Sequence, residues 1–497
     1  MSSHFTMNSR TVDLRAIAWD AMKKYGFSPE FPKQVRQEVG AMTDEAREGA
    51  ETDIGDLRGL LWSSIDNFDS EDLDQIEYCE WGQDGEIAVK VAIADVDFYV
   101  EKNSPTDRHA AHNGTSVYTG VETFPMLPDK LSKGISSLLP GHDRIAVVIE
   151  YTVLPDGSVR HGSLYRALVA NKAKLVYEVI GAWLAGGSTV PPSVKNVPGL
   201  EEQLRIQAEA SQVLRKHRRE QGALELVTIE PTPIIENGRV KDIVVIEQNP
   251  ARQLIEEFMV AANGSMVAFL GDAGLPMIQR VVRKPKYWDE IIAFAALHGG
   301  KLPGEPNAKA LALFLLRQQE TDPERFPDIS LTIVKLLGPG EYMTLEPGAP
   351  PTGHFSLAVI DYTHATAPNR RYVDVVNQRL AKSVLGHKNN PYSLDELGEL
   401  ADWLTDREKA SKKVKRYMRK AAAAVLLQDR IGEAFDAMVT GASEHGTFVR
   451  VIVPPAEGRV VRGEEGLKVG QKIRVRLLGT DAYKGFIDFE RTGQSVK

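Results

Sequence analysis

The residues with the clearest chemical potential form an acidic cluster early in the chain. Six carboxylates fall within the twelve residues from 66 to 77, namely Asp66, Asp69, Glu71, Asp72, Asp74 and Glu77. Like charges at this density raise one another's pKa, and a divalent cation relieves the repulsion. Two hard cations about 4 Å apart can activate water and stabilise the leaving oxygen of a phosphodiester, and Mg²⁺ prefers oxygen ligands. The cluster therefore indicates a candidate magnesium site for phosphodiester hydrolysis.

Two other interpretations of the cluster involve no such chemistry. The residue types alone leave open a solvated acidic loop. An EF-hand calcium loop is the second alternative, because Glu77 stands correctly at position 12 when Asp66 is position 1. Phe68 and Glu71 then occupy positions 3 and 6, where an oxygen ligand and a glycine are required. The EF-hand interpretation therefore fails.

The bulk properties are typical of a soluble globular protein. The chain has 497 residues, 42% hydrophobic and 26% charged, enough for roughly two to four domains. Its net charge of −8 argues against a surface wholly devoted to nucleic acid, although a nuclease can combine metal-binding carboxylates with a basic channel. Cys79 is the sole cysteine, which excludes an intrachain disulfide and a cysteine-based zinc site and favours a cytoplasmic location.

The sequence predicts neither a membrane protein nor an ATP-driven one. No apolar run approaches the roughly 18 residues of a membrane span, and the N-terminus lacks the apolar region of a secretory signal. The phosphate-binding pattern GxxxxGK[ST] is absent, so we expect no ATP-driven unwinding.

Hydrophobic periodicity predicts helices in several parts of the chain. Residues 1–55 should form a small helical region, since one helical face collects Leu14, Ile17, Ala18 and Met22. Asn249-Pro250 opens a long helical pattern. Residues 280–335 and 370–432 are mostly helical in pattern, and the Gly- and Pro-rich residues 336–353 predict a loop between them.

Strand patterns fall into two groups. Apolar residues alternate from 87 to 93, and Pro155-Asp156-Gly157 predicts a hairpin between strands at 144–153 and 158–169. Asn237-Gly238 predicts a second hairpin. From about residue 433, short strands separated by glycines have the spacing of a small β-barrel.

The acidic cluster and five later segments resemble the RNB catalytic domain of the ribonuclease II and ribonuclease R family. Asp66, Asp72 and Asp74 fit the family pattern of Ile-Asp, five residues and Asp-x-Asp-Asp. The order and spacing of the segments hold over roughly residues 60–430. The five segments are VAIADVDFYVEKNSPTDRHAAHNGTSVY (91–118), FPMLPDKLSKGISSLLPGHDR (124–144), KAKLVYEVI (172–180), LIEEFMVAAN (254–263) and YTHATAPNRRYVDVVNQRL (362–380).

The resemblance implies a metal site beside a phosphate contact. Asp66, Asp72 and Asp74 would hold Mg²⁺, for which Mn²⁺ could substitute, and Gln75 stands at the fourth position of the set. The same three aspartates and Arg370 would be the catalytic residues. A planar guanidinium suits a phosphate, so Arg370 would contact the scissile end, with the adjacent Arg371 also binding RNA. Without the motif, Arg370 would be taken for a surface arginine.

Three further residues are implied to bind RNA. Tyr118 would stack on a base near the 3′ end, which tolerates any sequence. Tyr177 and Glu256 would distinguish RNA from DNA by sensing the 2′-hydroxyl group. From the residues alone, Tyr118 could equally be a tyrosine of a strand or core, and Glu256 could lie on a solvated helix face.

The sequence departs from the family pattern at several positions. Gln75 replaces a carboxylate of the metal set and keeps an oxygen but loses a charge. Leu226 stands where the family places a second stacking aromatic residue. Ala367 and Asn369 replace the usual Ser and Ile of the segment before Arg370, and Arg416 stands where some members carry glutamate.

The last part of the chain resembles an OB fold of the ribosomal-protein S-one type. Phe448 is a candidate for base stacking, whereas Phe435 is better explained as barrel core. Basic residues that could follow phosphates are Arg450, Lys472, Arg474 and Arg476. The segment Arg407–Lys420 carries eight basic residues, which either form a solvated helix face or line an RNA entrance.

These observations together predict an α+β protein in three parts. They are an N-terminal helical region (1–55), an RNB catalytic domain with a mixed sheet and helices (56–430) and a five-stranded OB barrel (433–497). The expected function is processive 3′→5′ hydrolysis of single-stranded RNA to nucleoside 5′-monophosphates. The alternatives are an RNB-fold protein that binds RNA without turnover and a nuclease that trims only a few nucleotides from RNA or tRNA 3′ ends.

Overall fold

The computed structural model describes residues 12–43, 54–227, 231–236, 239–245, 247–443 and 446–494. The helices within these residues are, in chain order, α1 (Leu14–Lys24), α2 (Lys33–Ala41), α3 (Pro105–Asn113), α4 (Tyr177–Leu184), α5 (Pro192–Lys195), α6 (Leu200–Gln221), α7 (Pro250–Asp272), α8 (Trp288–Leu297), α9 (Ala308–Thr321), α10 (Phe326–Leu337), α11 (Tyr372–Leu385) and α12 (Leu394–Leu427).

The strands of the same residues follow, also in chain order. They are β1 (Gly55–Asp56), β2 (Ser63–Asp66), β3 (Gln75–Trp81), β4 (Ile87–Ala94), β5 (Val117–Tyr118), β6 (Thr123–Phe124), β7 (Asp143–Val153), β8 (Val159–Ala170), β9 (Ala173–Val176), β10 (Pro231–Glu236), β11 (Arg239–Val245), β12 (Met277–Val281), β13 (Glu341–Leu345), β14 (Ala434–Ser443), β15 (Gly446–Val451), β16 (Ala456–Arg462), β17 (Lys472–Asp481) and β18 (Phe486–Gln494).

A seven-stranded mixed sheet forms the centre of the larger part of the chain, in the order β1-β8-β7-β4-β3-β2-β9. β2 pairs with β9 in parallel and with β3 antiparallel, so the edge near β2 combines both kinds of ladder. Helices α6 and α7 pack against strands of this sheet. The apolar residues of β4 are all buried, as the alternation predicted: Ile87, Val89, Val91 and Ile93. The predicted α+β class with a mixed sheet is confirmed.

The hairpin predicted at residues 155–157 is confirmed. β7 and β8 pair antiparallel on either side of it, and the Leu154 N–H donates to Ser158 O at 3.0 Å. Gly157 has a φ of +83°, and a Cβ there would lie 2.5 Å from the carbonyl oxygen of Val213 in α6. Only glycine combines this backbone conformation with so close an approach to the helix.

Replacing Gly157 with alanine should therefore destabilise the fold more than the same change at Gly186. Gly186 also has a left-handed φ, +78°, but a Cβ there meets nothing within 4 Å. We expect Gly186→Ala to cost about 1–2 kcal/mol through backbone strain alone. Gly157→Ala should cost roughly 1–3 kcal/mol more, because the methyl group also clashes with α6. Urea unfolding midpoints of the two variants test this, and equal midpoints would contradict it.

The N-terminal helical face behaves as predicted. Its apolar residues are buried and belong to a cluster that includes residues of α12, against which α1 packs. Asp13 caps α1 by accepting hydrogen bonds from the N–H groups of Arg15 and Ala16. The buried residues of α2, Val35 and Val39, join the core of the central sheet instead. The predicted boundaries of this region remain a prediction.

A closed five-stranded barrel follows α12, in the order β14-β15-β16-β18-β17, and confirms the predicted OB barrel. Its interior contains Phe435, which contacts Phe489 edge to face at 6.5 Å between ring centroids. α12 packs against β16, β17 and β18. This helix therefore contacts α1 and the barrel alike.

Two predicted elements need comment. The loop prediction for residues 336–353 is wrong in part, because β13 lies within it and pairs antiparallel with β12. Gly338-Pro339-Gly340 ends α10 and gives the segment its loop-like composition, but five residues of strand follow. The turn residues Asn237 and Gly238 of the second hairpin lie outside the described residues, and β10 and β11 on either side of them pair antiparallel.

By length and composition, α7 is the one helix of the described residues that could cross a membrane. It begins at Pro250 as predicted, Asn249 caps it, and 67% of its most apolar stretch is buried inside the protein. Such burial is that of a core helix.

Candidate active site

The acidic residues meet where β2 ends and β3 begins. Asp66 is the last residue of β2, Gln75 is the first of β3, and the connecting loop carries Asp72 and Asp74. Because β2 and β3 are antiparallel neighbours, the sheet brings these residues to one end of the two strands.

Hydrogen bonds to a neighbouring segment hold this loop in place. The Leu138 N–H donates to Leu73 O at 3.0 Å, and the Leu73 N–H donates to Ser137 Oγ at 2.9 Å. The Ser137 hydroxyl in turn donates to the carbonyl oxygen of Glu71 at 2.7 Å. The residues around Ser137 thus fix the loop from one side.

Asp74 is the best-anchored carboxylate of the group. It is 2% exposed and accepts hydrogen bonds from the Asn369 N–H at 2.8 Å and from Arg370 Nε at 3.1 Å. Burial raises the pKa of Asp74 to about 7, while the Arg370 guanidinium lowers it and Asp72 raises it further. The structure thus brings the acidic loop into contact with Arg370, nearly 300 residues further along the chain.

Tyr118 lies beside Asp72, to which its hydroxyl donates at 2.7 Å. Burial, with Asp72 next to it, raises the pKa of Tyr118 well above its ordinary value. Lys415 of α12 lies 5.7 Å from the centre of the Tyr118 ring. The basic segment of α12 therefore reaches the site at Lys415, whereas Arg407 donates to Gly26 O and holds the N-terminal region.

Asp66 lies between an exposed loop and a buried carboxyl group. Its Oδ1 accepts hydrogen bonds from the Asn67 N–H at 2.7 Å and from the Ser70 hydroxyl at 2.6 Å. Burial raises the pKa of Glu77 well above its ordinary value, and the nearby Asp66 carboxylate raises it further. Burial raises the pKa of Tyr177, and the nearby Asp66 carboxylate is the second-largest cause of that rise.

The oxygen atoms of this region are suited to a hard divalent cation. Within the described residues, no three His, Cys, Asp or Glu side chains already converge as a metal-binding group. Both buried carboxylate oxygens of Glu77, next to Asp66, have no hydrogen-bond partner in the described part of the chain. Carboxylates without nearby donors need a cation or a proton. The carboxylate and amide oxygens of Asp66, Asp72, Asp74 and Gln75 are ligands of the kind that a divalent metal prefers, and these residues would hold it.

Arg371, predicted to bind RNA, contacts protein. Its guanidinium makes two hydrogen bonds of 2.8 Å to Asp374, which is fully buried. Asp374 also accepts from the Ala367 N–H at 2.7 Å. Asn369 accepts a 2.6 Å hydrogen bond from the Ser136 hydroxyl. These contacts fix the loop that presents Arg370.

Tyr177 and Glu256 lie on the neighbouring helices α4 and α7, and Tyr177 is close to Asp66. Tyr177 begins α4, and the Arg252 guanidinium of α7 lies 4.4 Å from its ring centre. Glu256 follows Arg252 by one helical turn, and its side chain is half exposed at 50%. The neighbouring Glu257 is buried and takes two 2.6 Å hydrogen bonds from Arg218.

The barrel residues differ in their availability to RNA. Phe448 is partly exposed on β15, whereas Phe435 is core, as expected. Arg450, a candidate phosphate contact, is buried and bonded to Asp328 of α10 at 2.6 Å. Lys472 is paired with Glu324 at 2.9 Å. Arg450 therefore holds the barrel against α10.

The comparisons with known proteins agree with this geometry. The sequence matches the RNB domain over residues 54–387 and the RNase II-type exonuclease C-terminal S1 domain over residues 433–492. The chain belongs to the RNB family. Ribonuclease R of Escherichia coli K12 is 30% identical over 94% of this chain and 56% of its own length. Ribonuclease R 1 of Lactococcus lactis is 27% identical over 93% of this chain and 59% of its own length.

A solved structure supports the same fold. Mycoplasma genitalium RNase R in complex with ribose methylated single-stranded RNA superposes with a TM-score of 0.87 at 22% identity, covering 97% of this chain and 78% of that chain. The chain spans less than two thirds of the length of the Escherichia coli and Lactococcus relatives. RNB-family nucleases generally depend on divalent metal ions.

The structure shows the surroundings of two residues that depart from the RNB family pattern, Leu226 and Asn369. Leu226 packs at the edge of the hydrophobic cluster formed by α8, α9 and α10. The backbone N–H of Asn369 bonds Asp74, so this contact does not depend on the residue type there. Three features of the site had no signal in the sequence: the bracing by Ser137, the buried pair of Arg371 with Asp374 and the burial of Glu77.

Replacing Arg371 should test whether its main role is structural. Arg371→Met leaves Asp374 buried without its cation, which should lower the free energy of unfolding by about 3–5 kcal/mol. Arg371→Lys keeps the charge but loses the paired hydrogen bonds, so it should fall between wild type and Arg371→Met. Chemical unfolding measures both. Wild-type stability of Arg371→Met, with weakened RNA binding, would assign Arg371 to RNA instead.

Proposed function

We propose that this chain is a hydrolytic, processive 3′→5′ exoribonuclease that degrades single-stranded RNA to nucleoside 5′-monophosphates with Mg²⁺. The observation that carries the proposal is the bond between Asp74 and Arg370. This hydrogen bond holds the Arg370 guanidinium against the acidic loop, which supports a phosphate contact beside the carboxylates. A metal-binding carboxylate beside a fixed positive charge is a combination that can support hydrolysis of a phosphodiester.

The geometry of Arg370 supports a phosphate contact. Asp74 engages Nε, and within the described residues neither terminal nitrogen of the guanidinium makes a hydrogen bond. The side chain is 44% exposed although its partner is buried. Arg370 can therefore be held by its Nε while its terminal nitrogens bind the scissile phosphate and stabilise the charge that develops on it.

The surrounding residues support selection of RNA. Tyr118 is anchored by its hydroxyl to Asp72, which leaves a ring face for a terminal base. Tyr177 and Glu256 lie on the α4 and α7 side, where they would contact the 2′-hydroxyl group. Ribonuclease R is the name of both relatives, and the similar Mycoplasma protein was solved with single-stranded RNA. These names support RNA as the substrate of this chain.

Asp66, Asp72, Asp74 and Gln75 would hold the metal. Bound divalent cations supply an activated water molecule and stabilise the leaving oxygen. The chain itself orients the terminal nucleotide through Tyr118 and fixes its phosphate through Arg370. No ATP is required in this scheme.

Asp74→Asn provides the decisive variant. It should lower the rate of RNA cleavage by roughly 10²–10³-fold or more, because a charge beside the reacting phosphate is lost. RNA binding should persist, because Tyr118 and Arg370 remain. Asp69→Asn is the matched control, since Asp69 is an exposed carboxylate of the same loop. Cleavage is followed on single-stranded RNA with Mg²⁺ or Mn²⁺, and binding by gel shift.

Full cleavage by Asp74→Asn would overturn the metal-site assignment. Wild-type protein that binds RNA without cleaving it under saturating Mn²⁺ would instead support the RNA-binding alternative. That alternative is suggested by Gln75, which replaces a carboxylate of the metal set. Products trimmed by only a few nucleotides would support the maturation nuclease, in keeping with the absence of an aromatic residue at Leu226.

A further inference from the structure

Glu77 is a buried carboxyl group that the proposed chemistry leaves without a role. It is 0% exposed, and neither of its oxygens has a hydrogen-bond partner within the described residues. A carboxyl group is rarely buried unless it is paired with a cation, hydrogen-bonded or bound to a metal. Its position therefore calls for a specific partner.

The strand places Glu77 on the same side as Gln75. Alternate residues of a strand share one face, so Gln75 and Glu77 of β3 point to the same face of the sheet. Two residues of strand separate their Cα atoms by about 6.5–7 Å. Ser63 of β2 lies directly opposite Glu77 in the antiparallel register, and its hydroxyl is buried without a partner in the described chain.

The surroundings of Glu77 connect it to the metal site. Towards the site, Asp66 and Tyr177 are close enough to interact with it electrostatically. Towards the core, Cys79 and Tyr151 are close in the same sense. Glu77 is thus within electrostatic reach of Asp66, one of the residues that would hold the metal.

The metal set itself lacks one carboxylate. Gln75 occupies a position where the RNB family pattern has aspartate, which removes one negative charge from the site. Gln75 and Glu77 start one pleat apart on the same face of β3, so a carboxylate at residue 77 keeps a negative charge close to the position that has lost one. The loss at residue 75 and the orphaned carboxylate at residue 77 are therefore complementary.

We propose that Glu77 supplies the metal centre with the carboxylate that Gln75 lacks. The inference rests on the proposed function, because it concerns the same metal site. The competing explanation is that Glu77 is a protonated core residue without a ligand. The two explanations differ in their consequences for metal binding, which can be measured without RNA.

The experiment measures Mn²⁺ binding to metal-free protein by calorimetry, with no RNA present. The variants are Glu77→Gln, Gln75→Asp and the double exchange of both. Glu80→Gln is the matched control, because Glu80 is an exposed acid of the same strand on the opposite face. Thermal unfolding in EDTA reports the fold of each variant separately from its affinity.

The proposal predicts a specific pattern of affinities. Glu77→Gln should weaken Mn²⁺ binding by about ten- to a hundredfold, as loss of a group supporting a metal site does. Gln75→Asp in the Glu77→Gln background should restore most of that loss, because the charge returns to the same face. Glu80→Gln should bind as wild type does.

Wild-type Mn²⁺ affinity in Glu77→Gln would overturn the proposal, and so would failure of the double exchange to restore binding in a folded protein. If Glu77→Gln does not fold, Glu77→Leu, which suits a fully buried strand position, replaces it, and unchanged affinity in that variant would be equally contradictory. Wild-type protein that cleaves RNA and binds Mn²⁺, with Glu77→Gln unaffected, would refute only the role of Glu77. Wild-type protein that binds Mn²⁺ but cleaves no RNA would refute the proposed function. The Mn²⁺ affinities of the variants would still show whether Glu77 contributes to metal binding.

Discussion

The site depends on one buried carboxylate that joins two distant parts of the chain. Asp74 accepts from the Asn369 backbone and from Arg370, almost 300 residues further on. A carboxylate buried to this degree would be costly if it were unpaired, so the fold must bring the arginine loop to it. The strand pair β2 and β3 holds one partner and the start of α11 holds the other. Most of the remaining architecture serves to keep these two elements in register.

The arginine loop is itself held by a second buried charge. Asp374, in the first turn of α11, binds both the Arg371 guanidinium and the Ala367 N–H, so the loop cannot shift without exposing or unpairing that carboxylate. Arg370 is thereby presented to solvent while its neighbour is committed to structure. The two adjacent arginines therefore differ in their surroundings: Arg371 is bound to Asp374, whereas Arg370 remains available for the proposed phosphate contact.

The elements that the sequence predicted correctly are those determined by residues close together in the chain. The β7–β8 hairpin follows from its Pro-Asp-Gly turn, the buried face of α1 from its helical spacing, and the C-terminal barrel from its short glycine-bounded strands. β13 was missed because the Gly-Pro-Gly before it has the composition of a loop, and its partner β12 lies more than 60 residues away. The motif predicted that Asp74 and Arg370 belong to one site. It could not indicate that Arg450 binds Asp328 or that Glu77 is buried without a donor, because both depend on which distant elements pack together.

The most direct test of the account uses a 5′-labelled single-stranded RNA of about 30 nucleotides, incubated with Mg²⁺ and resolved on a sequencing gel beside a DNA of matching sequence. The account predicts one short labelled product, with the remaining RNA at full length and the DNA intact, because a processive enzyme holds each strand from its 3′ end until only the stub remains. Internal fragments, cleavage of the DNA, or RNA that stays uncut although it is bound would contradict the assignment of Asp74 and Arg370 to a ribonucleolytic site.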